Sequence, residues 1–193
     1  MSAQSIPRLT PERYLEIERD AEFRSEYFDG EMIVVSAVTY AHSLAVSNLL
    51  GSLLIPLRDR GCTVHSAGLR VKASGGRSFT YPDIVVVCGE PRFADDQKDT
   101  VVNPVLIVEV LSKSTEARDR GFKFAQYRQI ESLKEYAMVS QTEARIEVYG
   151  RDPAGNWVLR EFAGLGAVCV FGSVDTAVAL AEVYRSVALE PSA

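Results

Sequence analysis

Apolar and polar residues alternate along this chain in blocks whose period shifts between the helical and the extended repeat. Thr10-Pro11-Glu12-Arg13 combines a capping hydroxyl, a first-turn proline and first-turn charge, so a short helix is expected to begin there. Within 24–35, Asp29-Gly30 divides Tyr27-Phe28 from the apolar stretch after Met32, which is a hairpin signal. Over 40–60, Leu44, Leu50, Leu53, Leu54 and Leu57 favour one broad helical face, with Gly61 as the stop. Residues 62–73 alternate as a strand, and Ser74-Gly75-Gly76-Arg77 reads as a turn. The runs 81–87 and 105–111 are rich in Val and Ile and read as buried strands, with 89–103 between them as a polar loop. A helix is expected over 114–130, then a strand at 136–139. A second hairpin follows, with 144–149 and 157–162 flanking Asp152-Pro153-Ala154-Gly155. Asp175 is expected to cap a last helix over 176–187. This order predicts an α/β protein of the α+β-like kind: a mixed sheet carrying helices, with added N-terminal and C-terminal hairpins.

The chain has 193 residues, enough for one domain that buries its own core, so 1–193 is taken as a single domain. Composition changes little: 47% hydrophobic and 24% charged is ordinary globular usage. The three cysteines, Cys62, Cys88 and Cys169, are widely spaced and form no CxxC pair. That argues against a disulfide framework and a thiolate zinc site, and reduced thiols suit a cytoplasmic protein. Cys88, ending an apolar run, is expected to be a small core residue. Met1–Pro7 carries no signal-peptide pattern, and the apolar runs are read as too short to cross a membrane. The net charge of -5 argues against a non-specific polyanion binder, although clustered carboxylates neutralised by metal ions are compatible with a nuclease.

Two acids stand inside runs otherwise fit for a core: Asp83 in Tyr81–Val87 and Glu109 in Val105–Leu111. A buried carboxylate must be paired, protonated, hydrogen-bonded or bound to a metal. The structural alternatives are Asp83 capping a turn after Pro82, and Glu109 facing water at a sheet edge. The following helix offers Asp119, Lys123 and Tyr127 at i, i+4 and i+8, hence on one face. On an isolated helix that would be only a solvated ion pair. Directly after the strand of Glu109, it can aim Lys123 back at the acids.

Together these residues carry a resemblance. Pro82-Asp83, Val108-Glu109-Val110-Leu111-Ser112, Ser114-Thr115, Asp119, Lys123, Tyr127 and Glu135-Tyr136 resemble the Uma family of restriction endonucleases, within the PD-(D/E)XK nuclease superfamily. Glu26-Tyr27-Phe28-Asp29-Gly30-Glu31 and His42 also fit, so the likeness runs from about residue 9 to 149. It implies a restriction-endonuclease-like central mixed sheet flanked by helices, with its core at about 38–142. It implies Mg²⁺ or Mn²⁺ held by Asp83, Glu109 and the carbonyl of Val110, with oxygen ligands that suit those ions. The superfamily's lysine belongs two residues after the acid, where this chain has Leu111. The resemblance implies that the family takes this lysine from the next helix instead, which makes Lys123 the candidate catalytic cation, with Lys113 its competitor. Asp119 and Tyr127 are expected to support Lys123, and Glu26 and His42 are candidate accessories, with Glu31 as an alternative to Glu26. His65 is expected to be structural.

The leading functional expectation is a divalent-metal-dependent endonuclease acting on DNA, most simply as a homodimer that cuts two strands. The alternative is a catalytically inactive nuclease-fold module that binds nucleic acid, favoured by the acidic charge and by Leu111. A third, an assembly domain using the hairpin around Trp157, rests on pattern alone. Arg58, Arg60, Arg70, Lys72 and Arg77 would line a DNA track only if they shared a face.

Overall fold

A computed structural model describes residues 8–66 and 68–190. Thr10 accepts from the Arg13 amide and starts α1 (Pro11–Asp20). The hairpin follows as β1 (Ser25–Phe28) and β2 (Glu31–Val34), turning through Asp29 and Gly30 at positive φ. Helix α2 (Tyr40–Leu57) is capped by Thr39, and Gly61 follows at φ +67. By length and composition α2, with 18 residues at a hydropathy of 1.3, is apolar enough to cross a membrane, so the expectation that every apolar run is too short fails. In this fold its Ala45, Leu49, Leu53 and Leu57 are fully buried in the core.

The strand expected over 62–73 is two strands in two sheets: β3 (Cys62–Ser66) and β4 (Arg70–Ala73). Between them Gly68 adopts φ +148, a region that side chains disfavour, and the chain leaves one sheet for the other. After a 3-10 turn at Ser74–Gly76 come β5 (Ser78–Thr80) and β6 (Ile84–Cys88), so the run 81–87 starts its strand only after Pro82-Asp83. The polar loop contains a short β7 (Thr100–Val101), and β8 (Leu106–Leu111) follows. The helix expected over 114–130 is α3 (Glu116–Arg118), a π-helical turn (Asp119–Lys123) and α4 (Phe124–Tyr127). Then come β9 (Glu135–Ser140) and the hairpin β10 (Arg145–Arg151) and β11 (Trp157–Ala163). The last helix is corrected: β12 (Val168–Phe171) pairs with β13 (Thr176–Ala179), leaving only a short α5 (Leu180–Val183). Thr176 and Val178 are buried while Ala177 is exposed, a period of two that the helical reading missed, and Asp175 sits at φ +48 before the strand rather than capping a helix.

The six-stranded sheet has the order β11-β10-β9-β8-β6-β3, mixed because β8 and β9 run parallel while the other neighbours are antiparallel. The five-stranded sheet has the order β2-β1-β5-β4-β7. Alternation assigns the two faces of the larger sheet. Ile84, Val86, Leu106, Val108 and Val110 pack under α2 and α5. Val85, Val87, Ile107, Leu111, Tyr136 and Met138 pack the opposite way, with Tyr127 and with Val71 and Val101 of the smaller sheet. Glu109 shares the parity of Ile107 and Leu111, so it points between the sheets.

Cys62 and Cys88 are register partners on β3 and β6 and form a disulfide. The expectation of three reduced thiols is corrected, and with it the reading of Cys88 as a plain core residue. Two distant cysteines became neighbours because the sheet aligned them, which spacing alone does not reveal. The thiol argument for a cytoplasmic setting falls away. Cys169 is free and buried. Met1–Pro7, read for a signal peptide, lies outside the described residues.

Candidate active site

Asp83 stands just before β6, and its carboxylate faces two ways. Oδ2 accepts from the Val110 amide at 2.7 Å, and Oδ1 lies 3.0 Å from His42 Nε2. His42 is in the first turn of α2, and its amide donates to Thr39 rather than acting as a cap. Extending the β6–β8 register from Ile84↔Val108 sets Pro82 opposite Val110. A strand residue turns its N–H and C=O to the same edge, so the Val110 carbonyl faces Pro82, which has no N–H to offer. The proline thus leaves a main-chain oxygen free of a ladder partner beside Asp83.

Glu109, buried on the neighbouring strand, receives Lys123 Nζ at 3.0 Å on Oε1, and the Tyr127 hydroxyl lies 2.9 Å from the same oxygen. Lys123 is also buried. It lies 3.1 Å from Glu26 Oε1 and 3.3 Å from Asp119 Oδ1. The π-helical turn that contains both Asp119 and Lys123 holds them on one side. Glu26 comes from β1 in the other sheet and accepts from the Tyr81 amide at 3.1 Å. Burial pushes the Glu109 carboxyl well above its ordinary range; Lys123 opposes this, while Asp119, Asp83 and Glu26 add to it. Burial likewise raises Asp119. For Lys123 burial disfavours the ammonium, but Glu109, Glu26 and Asp119 outweigh it and keep it protonated well above the ordinary lysine range.

Glu26, His42, Asp83, Glu109, Asp119 and Lys123 line one cavity of about 330 Å³, with Val110, Ser112, Thr115 and Arg118. The sequence candidates Asp83, Glu109, Val110, Lys123, Glu26 and His42 therefore converge. Lys113 does not: its side chain is 86% exposed and lies 3.7 Å from Glu190 at the surface. Glu31 is exposed and lies outside this cavity, and His65 bonds to Thr63 on β3. Leu111, at the superfamily's lysine position, is a core residue. Arg118 was not singled out in the sequence; its only signal there is adjacency to Asp119. Arg70 is buried against Asp99, Thr100 and Tyr81, and Arg60 pairs with Asp175, so these two form no common track.

The fold is shared with a crystal structure of "a putative nuclease belonging to DUF820" from Anabaena variabilis ATCC 29413, at a TM-score of 0.69 over 91% of this chain and 97% of that one, with 16% identity. Two Synechocystis sp. (strain ATCC 27184 / PCC 6803 / Kazusa) proteins are each 34% identical. The uncharacterized protein sll1609 matches over 84% of this chain and 92% of its own length, and slr1290 over 95% of each. The sequence profile of Uma2, described as "Putative restriction endonuclease", matches residues 11–171. The chain belongs to the Uma2 family. Uma2 membership and the restriction-endonuclease-like fold together support nuclease function, and in this Uma2 chain Asp83, Glu109 and Lys123 meet in one cavity.

Among the described residues no three His, Cys, Asp or Glu side chains cluster as a ready-made metal cage. A divalent ion must then draw on the main chain and water as well as on carboxylates. The donor chemistry fits: Asp83 and Glu109 come from adjacent strands, and the Val110 carbonyl lies free between them. Four acids, Glu26, Asp83, Glu109 and Asp119, line the cavity against two basic side chains, Lys123 and Arg118, an excess of carboxylates that a divalent cation would offset.

Proposed function

We propose that this chain is a divalent-metal-dependent nuclease hydrolysing phosphodiester bonds of DNA. The carrying observation is the 3.0 Å contact between Lys123 and Glu109 across the cavity that also holds Asp83 and Val110. Asp83, Glu109 and the Val110 carbonyl are the residues that would hold Mg²⁺ or Mn²⁺, which supplies phosphate polarisation and a lowered pKa for an attacking water. Lys123, kept protonated, offers positive charge where negative charge develops on the phosphate oxygens. His42 fixes Asp83 through the 3.0 Å contact, so that the other oxygen stays turned toward Val110. Glu26 holds Lys123 from the opposite side, and Asp119 and Tyr127 fix its position relative to Glu109. A two-fold homodimer is proposed only for a duplex substrate, where two strands must be cut.

The test is Mn²⁺ calorimetry and oligonucleotide cleavage on the parent and on Asp83→Asn. The reading expects saturable Mn²⁺ binding and cleavage by the parent, with both lost in the variant. Mn²⁺ binding without cleavage of DNA or RNA would favour the inactive binding module. No Mn²⁺ binding, with or without oligonucleotide, would overturn the metal site.

A further inference from the structure

Beside the candidate active site lies a second cavity of about 310 Å³, the lower end of the range for small-ligand sites at ~300–1,000 Å³. The two cavities share Ile33 and Arg118. Arg118 packs its guanidinium 4.3 Å over the Phe28 ring, and Phe28 meets Phe122 edge-on at 4.9 Å. Phe122 is 44% exposed and Ile33 38%, so an apolar and aromatic wall opens to solvent next to a cation. Arg118 lines both cavities with 26% of its side chain exposed; its Nη2 is buried 3.9 Å from Glu26 Oε2 and has no hydrogen-bond partner among the described residues. A part-exposed guanidinium beside an aromatic surface suits a ligand that brings an anionic oxygen and a flat ring together.

We propose that this second cavity is a subsite for the nucleotide flanking the scissile phosphate, and that the strand it takes is unpaired. The inference rests on the nuclease reading of the neighbouring cavity. The exposed edge of the Arg118 guanidinium donates to the flanking phosphate, and the base lies against Phe122 and Ile33. A base face is available to such a wall only when it is unstacked, as in a single strand, an end or an extruded nucleotide. A duplex offers phosphates on its outside and calls for a broad basic surface. The cations of the two cavities are Arg8, Arg118 and Lys123; Lys123 is held by three carboxylates, Arg8 pairs with Asp29 at 3.0 Å, Arg118 lies 3.9 Å from Glu26, and Asp29 and Glu31 also line the second cavity, so no broad basic surface is present there.

The experiment measures anisotropy of a labelled single-stranded DNA oligonucleotide and of the same sequence as blunt duplex. Ca²⁺ replaces Mg²⁺ in the binding assay, and cleavage of both substrates is followed in Mg²⁺. Phe122→Ala changes a surface ring, and Arg118→Gln keeps the stem over Phe28. The expected result is tighter binding and faster cleavage of the single strand, weakened about tenfold by either variant. Arg118→Gln should also reduce the salt slope by roughly 0.7, one single-strand phosphate contact. If the parent cuts DNA while both variants keep its KM and its strand preference, or if it prefers duplex, the subsite is wrong and the nuclease reading stands. A parent that neither binds nor cuts either substrate removes both.

Discussion

Lys123 Nζ lies 3.0 Å from Glu109 Oε1 and 3.1 Å from Glu26 Oε1, so a single buried ammonium joins a strand of the six-stranded sheet to a strand of the five-stranded one. Removing one partner from a buried charge network leaves the others desolvated and uncompensated. Lys123→Met is expected to cost about 3–5 kcal/mol of stability at neutral pH, measured by urea unfolding. Adding Glu109→Gln should recover part of that loss, giving strong coupling in a double-mutant cycle.

Tyr127→Phe tests the support beneath Glu109. The hydroxyl lies 2.9 Å from both Glu109 Oε1 and Thr80 Oγ1, in a fully buried position. Loss of a hydrogen bond to a charged group is expected to cost about 1.5–3 kcal/mol in denaturant unfolding, with the circular dichroism spectrum unchanged.

Asp99 gives a pH signature away from the acids of the site. Hydrogen bonds from Arg19 hold its carboxyl far below the ordinary aspartate value of 3.8, against the opposing effect of burial and with help from Arg70. With the folded pKa depressed, the unfolded chain binds more protons, so the stabilisation is present above pH 3.8 and is lost as pH falls through the folded value. Asp99→Asn should therefore be less stable than the parent at neutral pH, and the gap should close on acidification below pH 3.8. A gap that stays constant across the acid range would show that Asp99 acts by packing alone.

Pro82→Ala restores an N–H opposite the Val110 carbonyl. If that oxygen helps hold an ion, pairing it should weaken Mn²⁺ binding roughly tenfold, the scale of lost supporting contacts around metal ligands. Calorimetry gives the affinity, and the melting transition without metal should hardly move.

The Cys62–Cys88 bond closes a loop with a sequence separation of 26. Reduction, or Cys62→Ser with Cys88→Ser, is expected to lower stability by about 2–4 kcal/mol. Non-reducing peptide mapping establishes the linkage, and urea unfolding with and without reductant reads the cost.

Asp83 and Glu109 were legible because a carboxylate inside a run of Val and Ile is conspicuous on physical grounds. Lys123 was legible through its i+4 spacing from Asp119 and its position just after the strand of Glu109. Glu26 was nameable only through resemblance, because its contact with Lys123 depends on how two sheets dock, which no local period encodes. The same limit hid Arg118 and Phe122, whose surroundings come from β1 and β2. Gly68 concealed the change of sheet inside one alternating run. The segment after Asp175 resembled a helix because small apolar residues suit either state, and the pairing of Cys169 with Val178 across β12 and β13 decided it. The disulfide followed from strand register, not from the spacing of its cysteines.

Because Glu26 stands on the five-stranded sheet and Glu109 on the six-stranded one, Lys123 can hold both only after the two sheets have closed on each other. A partly folded chain with the six-stranded sheet alone would carry Asp83 and Glu109 but lack the β1 contact that anchors the lysine. The lysine's full set of partners would then be assembled only by the closure of the two sheets.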